Sequence, residues 1–174
     1  MYYKKHRAAP EERSGEASEA RAYGVRLLSR REYSSAEVYE KLCVKYTEEA
    51  SAEAVADLIG SGWLDDGRYA ECRANSLLNS RKSRRAAGQV LRRSGLQKEE
   101  IDAALSRVYD SGGEEEDAEL TAAYRLIESR YRSRLDSGRK DLVEAALYRR
   151  GFPGRVIRAA LKKAEEEKDT ENRL

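Results

Sequence analysis

The sequence predicts an all-α protein built from three tandem three-helix repeats, and three observations carry that expectation. The first is composition. Only two prolines occur in 174 residues, the apolar fraction is 40%, and the chain is rich in Ala, Leu, Glu, Arg and Lys, a mixture that favours helix and leaves little room for sheet. The second is spacing, because apolar residues recur at helical intervals in three successive groups of three segments. The third is a fixed register: Leu91, Gly95, Leu96, Ile101 and Leu105 recur 56 positions later as Leu147, Gly151, Phe152, Ile157 and Leu161. In each copy a glycine closes one helix, an apolar residue plugs the turn, and the next helix lays an i, i+4 pair on the same core. The first group lacks that glycine, places Tyr46 at the plug and has a longer turn. The spacing is therefore too irregular for a solenoid of about 34-residue period.

Residues 1–18 are polar and charged, contain Pro10 and Gly15, show no helical period and read as a flexible arm. Repeat 1 covers residues 19–64. Its first helix begins near Glu19, carries Ala20, Tyr23, Leu27 and Leu28 on one face and ends by Glu32. Ser34 or Ser35 caps a second helix whose inward residues are Val38 and Leu42, and after the polar turn 47–53 a third helix uses Val55, Leu58 and Ile59. Three helices this short must pack on one another to persist.

The stretch GWLDDGRYA, Gly62 to Ala70, is the junction to repeat 2. Gly60 and Gly62 end the preceding helix, Trp63 and Leu64 supply apolar anchors, and Asp65 and Asp66 are placed to accept from the free N–H groups of the next helix. Repeat 2 covers 65–110: a helix over 66–79 with Tyr69, Ala70, Ala74, Leu77 and Leu78, a second over 85–93 around Leu91, and a third over 98–109. Residues 111–117 form an acidic linker. Repeat 3 covers 118–164, with Leu120, Ala123, Tyr124, Ile127 and Tyr131, then Val143 and Leu147, then Val156, Ile157, Ala160 and Leu161, before a charged tail at 165–174.

The net charge of +2 conceals segregation. Residues 68–98 hold nine bases against one acid, and residues 120–164 hold twelve against four, a local charge of +8 in each. Arg81, Lys82, Arg84 and Arg85 fall between two helices of repeat 2. Arg130, Arg132, Arg134, Arg139 and Lys140 fall at the equivalent place in repeat 3. With Arg92, Arg93, Arg149 and Arg150 they are the candidate contact residues for an extended anionic partner, phosphate backbone or acidic protein, since arginine donates bidentately to either. Tyr124, Tyr131 and Tyr148 are expected in cores or repeat interfaces rather than as stacking platforms.

Catalysis finds no support. Asp65 and Asp66 are neighbours that point in different directions, with no further carboxylate or histidine spaced to join them. His6 is the single histidine and lies in the arm, so no Ser-His-Asp or Cys-His set can form inside the fold. There is no phosphate-binding GxxxxGK[ST] loop. Cys43 and Cys72 form no CxxC unit and read as buried reduced thiols, without a zinc site or disulfide framework. No run approaches the ~18 apolar residues of a membrane span, and a cytoplasmic protein without metal, cofactor or small-molecule substrate is expected.

With these residues laid out, the chain resembles the RecX family, regulatory proteins of the bacterial RecA recombinase. The resemblance covers roughly Ala20 to Ala164. Its most specific part is GWLDDGRYA, similar to the family's block of glycine, aromatic, Leu-Asp-Asp, x-Arg-aromatic-Ala, so that Gly62, Trp63, Leu64, Asp65, Asp66, Arg68, Tyr69 and Ala70 are its motif residues. Ser35 to Lys45, Leu91 to Leu96 and Arg149 to Phe152 are similar to its first-repeat helix and its glycine turns. The departures are Tyr46 without a preceding glycine, Ser94 for the usual lysine and Ala87 for a larger aliphatic. The resemblance implies an elongated, curved module of tandem repeats. It further implies a monomeric, non-enzymatic regulator that binds in the groove of the RecA filament on DNA, with DNA contacts secondary, and inhibits its ATPase, strand-exchange and coprotease activities in recombination, repair and the SOS response. A stand-alone helical DNA-binding module is the alternative that the three-helix units and basic balance leave open. A passive helical scaffold is the third, and it predicts no effect from charge reversal at Arg84, Arg85, Arg132 and Arg134.

Overall fold

The computed structural model describes residues 12–110 and 117–171, with side chains to 167. Its helices are α1 (Ala17–Leu28), α2 (Ser35–Leu42), α3 (Glu48–Gly60), α4 (Asp66–Asn79), α5 (Arg84–Arg93), α6 (Lys98–Tyr109), α7 (Ala118–Leu126), α8 (Arg132–Asp136), α9 (Lys140–Arg149) and α10 (Gly154–Glu171), with a π-helical segment at Ile127–Tyr131. Among the described residues there is no strand, only a parallel backbone bridge between Ser14 and Tyr46, and the all-α expectation holds. No described helix is long and apolar enough to cross a membrane. Of the expected arm, residues 1–11, including His6, lie outside the described residues, while Ser14 donates to the Lys45 carbonyl and accepts from Thr47 N–H. Residues 111–116 of the linker and 172–174 of the tail also lie outside them.

The chain divides into two compact units, Met1–Ala70 with Arg92–Glu100, and Glu71–Leu91 with Ile101–Leu174. In the first unit α1 packs on α3 and α2 closes the triangle. The approach of α1 to α3 is close because residue 24 is glycine: a Cβ there would stand 2.6 Å from Leu58 Cδ1. Val38, Leu42, Ala54 and Leu58 are fully buried around this contact, with Tyr46, Ala50 and Leu64 at its edge. The starts of α2 and α3 carry side-chain caps. Ser34 rather than Ser35 caps α2, in a reciprocal box with Glu37, and Thr47 caps α3.

Four expectations change here. The segment expected as a polar turn over 47–53 is helical from Glu48, because Thr47 caps α3 and Glu48 and Glu49 suit its first turn. Ile59 is 52% exposed, because its neighbour Leu58 takes the one direction that faces the core. Trp63 is 45% exposed and does not seal the unit. Gly62, at φ +72°, turns the chain so that Trp63 N–H and Leu64 N–H both donate to the Leu58 carbonyl, and Leu64 alone enters the core. Cys43 is buried as expected, but Cys72 is exposed, on the face of α4 opposite Ala70 and Ala74.

In the second unit α7, the π segment, α9 and α10 enclose Ala123, Ile127, Val143, Leu147, Phe152, Ile157 and Leu161, all at most 2% exposed. Burying each of the Val, Leu, Ile and Phe side chains contributes ~1.5–3 kcal/mol. The offset register is realised in both copies: Leu91, Leu96, Ile101 and Leu105 are buried, as are Leu147, Phe152, Ile157 and Leu161, and Gly95 and Gly151 both have positive φ. The helix expected over Leu120 to Tyr131 is interrupted. A π turn after Leu126 widens the coil, keeping Ile127 and Tyr131 inward and Ser129 and Arg130 outward.

Candidate functional site

The same clasp is built once in each unit. In the first, the Ser34 hydroxyl donates to the Ser94 carbonyl at 2.5 Å while accepting from Glu37 N–H. Beside it the Asp66 carboxylate accepts from Ser35 N–H at 2.8 Å and from the Ser35 hydroxyl. In the second, the buried Ser83 hydroxyl donates to the Arg150 carbonyl at 2.8 Å and accepts from Ala86 N–H. There the Glu119 carboxylate accepts from Arg84 N–H at 2.9 Å. In both cases the N-cap serine of a middle helix grips the carbonyl just before a left-handed glycine, and an acid from the next repeat's first helix covers the first N–H of that middle helix. The acid suits the positive end of the helix dipole.

The GWLDDGRYA residues therefore divide their work differently from the sequence expectation. Asp65 is the cap of its own helix, accepting from Arg68 N–H at 2.9 Å. Asp66 instead reaches the start of α2. Arg68 stands 3.7 Å from Glu32, the Tyr69 hydroxyl donates to Ser94 Oγ at 3.2 Å, and Ala70 is fully buried. Both carboxylates are thus engaged in holding helix ends. Among the described residues no group of His, Cys, Asp or Glu is arranged to hold a metal ion.

The second clasp has a different surrounding. Ser83 draws the α4–α5 turn against the α9–α10 turn, and the Tyr109 hydroxyl fixes the same turn by donating to the Lys82 carbonyl at 3.1 Å. Arg81, Lys82 and Arg85 are thereby brought beside Arg130, Arg149 and Arg150 around a cavity of about 540 Å³. Among the described residues no acidic side chain lines it. None of the six cations forms an ion pair with a described residue. Tyr148, expected in a core or interface, stands at the rim and is 69% exposed, because Leu147 beside it takes the inward position. Arg81 occupies a left-handed backbone conformation, φ 58°, as the single non-glycine residue with positive φ among those described, and its Nη1 donates to Ser129 Oγ at 2.6 Å.

The remaining sequence candidates lie elsewhere. Arg84 pairs with Asp110 at 3.0 Å and also donates to Ser106. Arg132, only 23% exposed, bonds Glu128 and the Ala164 carbonyl, Arg139 stands 3.8 Å from Asp141, and Lys140 pairs with Glu165 at 2.7 Å. Arg134 lies over the Tyr131 ring at 5.7 Å. Arg92 and Arg93 are exposed and belong to the other unit. Of the two basic groups expected from sequence, the repeat 3 group is thus divided: Arg130 joins the cavity and Arg132, Arg139 and Lys140 have acidic neighbours. Ser83, Glu119 and Tyr148 were not recognised. The serine before an arginine-rich helix start was the signal for Ser83, while Glu119 acts through a contact 35 residues distant and Tyr148 is turned outward by its neighbour Leu147.

Burial pushes the Glu119 carboxyl above the usual carboxylate range, with the Arg84 N–H acting in the opposite sense. The Tyr109 hydroxyl is likewise raised by burial, with Glu119 adding to it.

Comparison with known proteins agrees with this fold. Residues 20–58 match the family profile described as RecX, first three-helix domain, and residues 65–105 that of RecX, second three-helix domain. The regulatory protein RecX of Halorhodospira halophila is 32% identical over 161 residues, covering 88% of this chain and 94% of that protein. The regulatory protein RecX of Thermus thermophilus is 33% identical over 150 residues, covering 86% and 95%. The crystal structure of RecX from Lactobacillus salivarius has the same fold, with a TM-score of 0.73 at 18% identity over 86% of this chain and 96% of that one. The chain belongs to the RecX family of regulatory proteins.

Proposed function

We propose that this protein is a non-enzymatic regulator that binds the RecA recombinase filament on DNA and inhibits its ATPase, strand-exchange and coprotease activities, acting in recombination, repair and the SOS response. Family membership supports the recombinase as partner. The observation that carries the choice of surface is the cavity bounded by Arg81, Lys82, Arg85, Arg130, Arg149 and Arg150, with no acidic side chain among the described residues that line it. Six cations drawn together without carboxylate neighbours repel one another, and an anionic partner relieves that repulsion. Arg84, Arg132, Arg139 and Lys140 already spend their charge on internal acids and are placed outside the contact. We read the array as repeats 19–64, 65–110 and 118–164, with the linker at 111–117 and the tail at 165–174, acting as a cytoplasmic monomer.

The test is DNA-dependent ATP hydrolysis by the cognate recombinase with the purified protein added. Inhibition that rises with protein and saturates is the expected result. No effect at a molar excess would remove the regulatory reading, and tight sequence-selective binding to bare duplex would replace it with a DNA-binding module.

A further inference from the structure

We propose that the cavity of the second unit is a site for one unpaired nucleotide of a single-stranded nucleic acid, its phosphate held by Arg81, Arg85 and Arg150 and its base stacked on Tyr148. The proposal rests on the reading of this cavity as the contact surface and names what that surface takes.

Arg81 is the first argument. The hydrogen bonds that close α4, Arg81 N–H to the Leu78 carbonyl and Lys82 N–H to the Leu77 carbonyl, repeat those that close α9, Gly151 N–H to Tyr148 and Phe152 N–H to Leu147. At the matching place in α3, α8 and α9 the left-handed residue is Gly62, Gly138 and Gly151, and in α4 alone it is an arginine. Glycine enters that conformation freely and an L-residue does so at a cost. A residue kept there against backbone preference is explained by its side chain, and this one is tethered through Nη1 to Ser129 at the cavity. One guanidinium hydrogen is used in that tether, leaving a fork of donors that suits phosphate oxygens.

Tyr148 is the second argument. Its ring is 69% exposed beside a concentrated positive field, the pairing of aromatic platform and basic groove by which single strands are held irrespective of sequence. Gln89 adds a polar amide to the same wall. A base already out of the stack enters without the unpairing that a paired base must first undergo. An acidic peptide would use the cations and leave the ring idle, so the ring decides between the two.

The experiment is fluorescence anisotropy of a labelled oligothymidylate of about 12 nucleotides, titrated with the full chain and compared with the matched duplex and with oligoglutamate as competitor. Single strand should bind at least about tenfold more tightly than duplex, and Tyr148→Ala should weaken it about tenfold while Tyr148→Phe retains binding. Arg81→Gly should also weaken binding about tenfold, with a Tm equal to or above that of the parent chain, which a merely architectural arginine would not give. Duplex binding as tight as single strand, Tyr148→Ala without effect, displacement by oligoglutamate at equal charge, or Arg81→Gly that lowers Tm and leaves affinity unchanged would each overturn the proposal. Recombinase inhibition without oligothymidylate binding would discard the nucleotide site and keep the regulatory reading. Binding without inhibition would do the reverse.

Discussion

The α3–α4 turn and the α4–α5 turn share a plan and differ in charge. Both end a helix on a left-handed residue, and each contributes to a clasp in which an N-cap serine grips a distant carbonyl and an acid covers a helix N-terminus. Around the first, Asp65, Asp66 and Glu32 answer the available donors and Arg68, so the turn is electrically settled. Around the second, Glu119 is engaged with Arg84 N–H and Asp110 with the Arg84 guanidinium, and the left-handed residue is a strained arginine among five further cations. On the reading proposed above, one piece of architecture serves as a plain junction in one place and as a binding surface in the other, depending on whether its charges find acidic partners inside the fold.

The largest effect expected is on packing, and it sharpens what the second clasp leans on. Phe152 follows Gly151 as the plug of the α9–α10 turn and is 2% exposed. Phe152→Ala should destabilise the second unit by about 3–5 kcal/mol, read as a lowered denaturant midpoint. Next come the clasps themselves. Ser34→Ala and Ser83→Ala should each cost about 1–2 kcal/mol through loss of a cap and a buried hydrogen bond. Of the two, Ser83→Ala alone should also weaken partner binding, because it releases the turn that carries Arg81 and Arg85. Equal effects on binding would break the distinction between the two turns.

How much of this the sequence disclosed follows from what local signals carry. The register of Leu91 to Leu105 on Leu147 to Leu161 survived intact, because a glycine, a plug and an i, i+4 pair are fixed by neighbours a few residues away. Ser34 could have been chosen over Ser35 from the glutamate three positions on, a capping-box spacing. Asp66 was assigned to its own helix because propensity says nothing of a partner 31 residues distant. The same limit hid the division of the arginines. Arg84 meets Asp110 and Lys140 meets Glu165 across 26 and 25 residues, while Arg130 is aimed by a π turn that leaves no compositional mark. Tyr148 and Trp63 were misplaced for another reason: large aromatics usually bury, and here an adjacent leucine occupies the inward position in each case.

A smaller effect separates the acids of the two clasps. Because the Glu119 carboxyl is raised by burial, the folded protein holds its proton to higher pH than the unfolded chain does. Its contribution to stability is therefore fully present below the ordinary carboxylate range and declines as pH rises from that range through the raised value. Glu119→Gln keeps an acceptor for Arg84 N–H and cannot titrate. Thermal unfolding between about pH 5 and 8 should show a shallower pH dependence in that variant than in the parent. An unchanged slope would mean that Glu119 is ionised throughout.

The central claim is that the cavity cations without acidic partners among the described residues, not the basic residues at large, form the regulatory surface. The direct measurement is inhibition of DNA-dependent ATP hydrolysis by the cognate recombinase, comparing the triple variant Arg81→Glu, Arg85→Glu, Arg150→Glu with the double variant Arg139→Gln, Lys140→Gln at matched Tm. Inhibition lost in the first and retained in the second is the predicted result. Full inhibition by the triple variant, or equal loss in both, would contradict it.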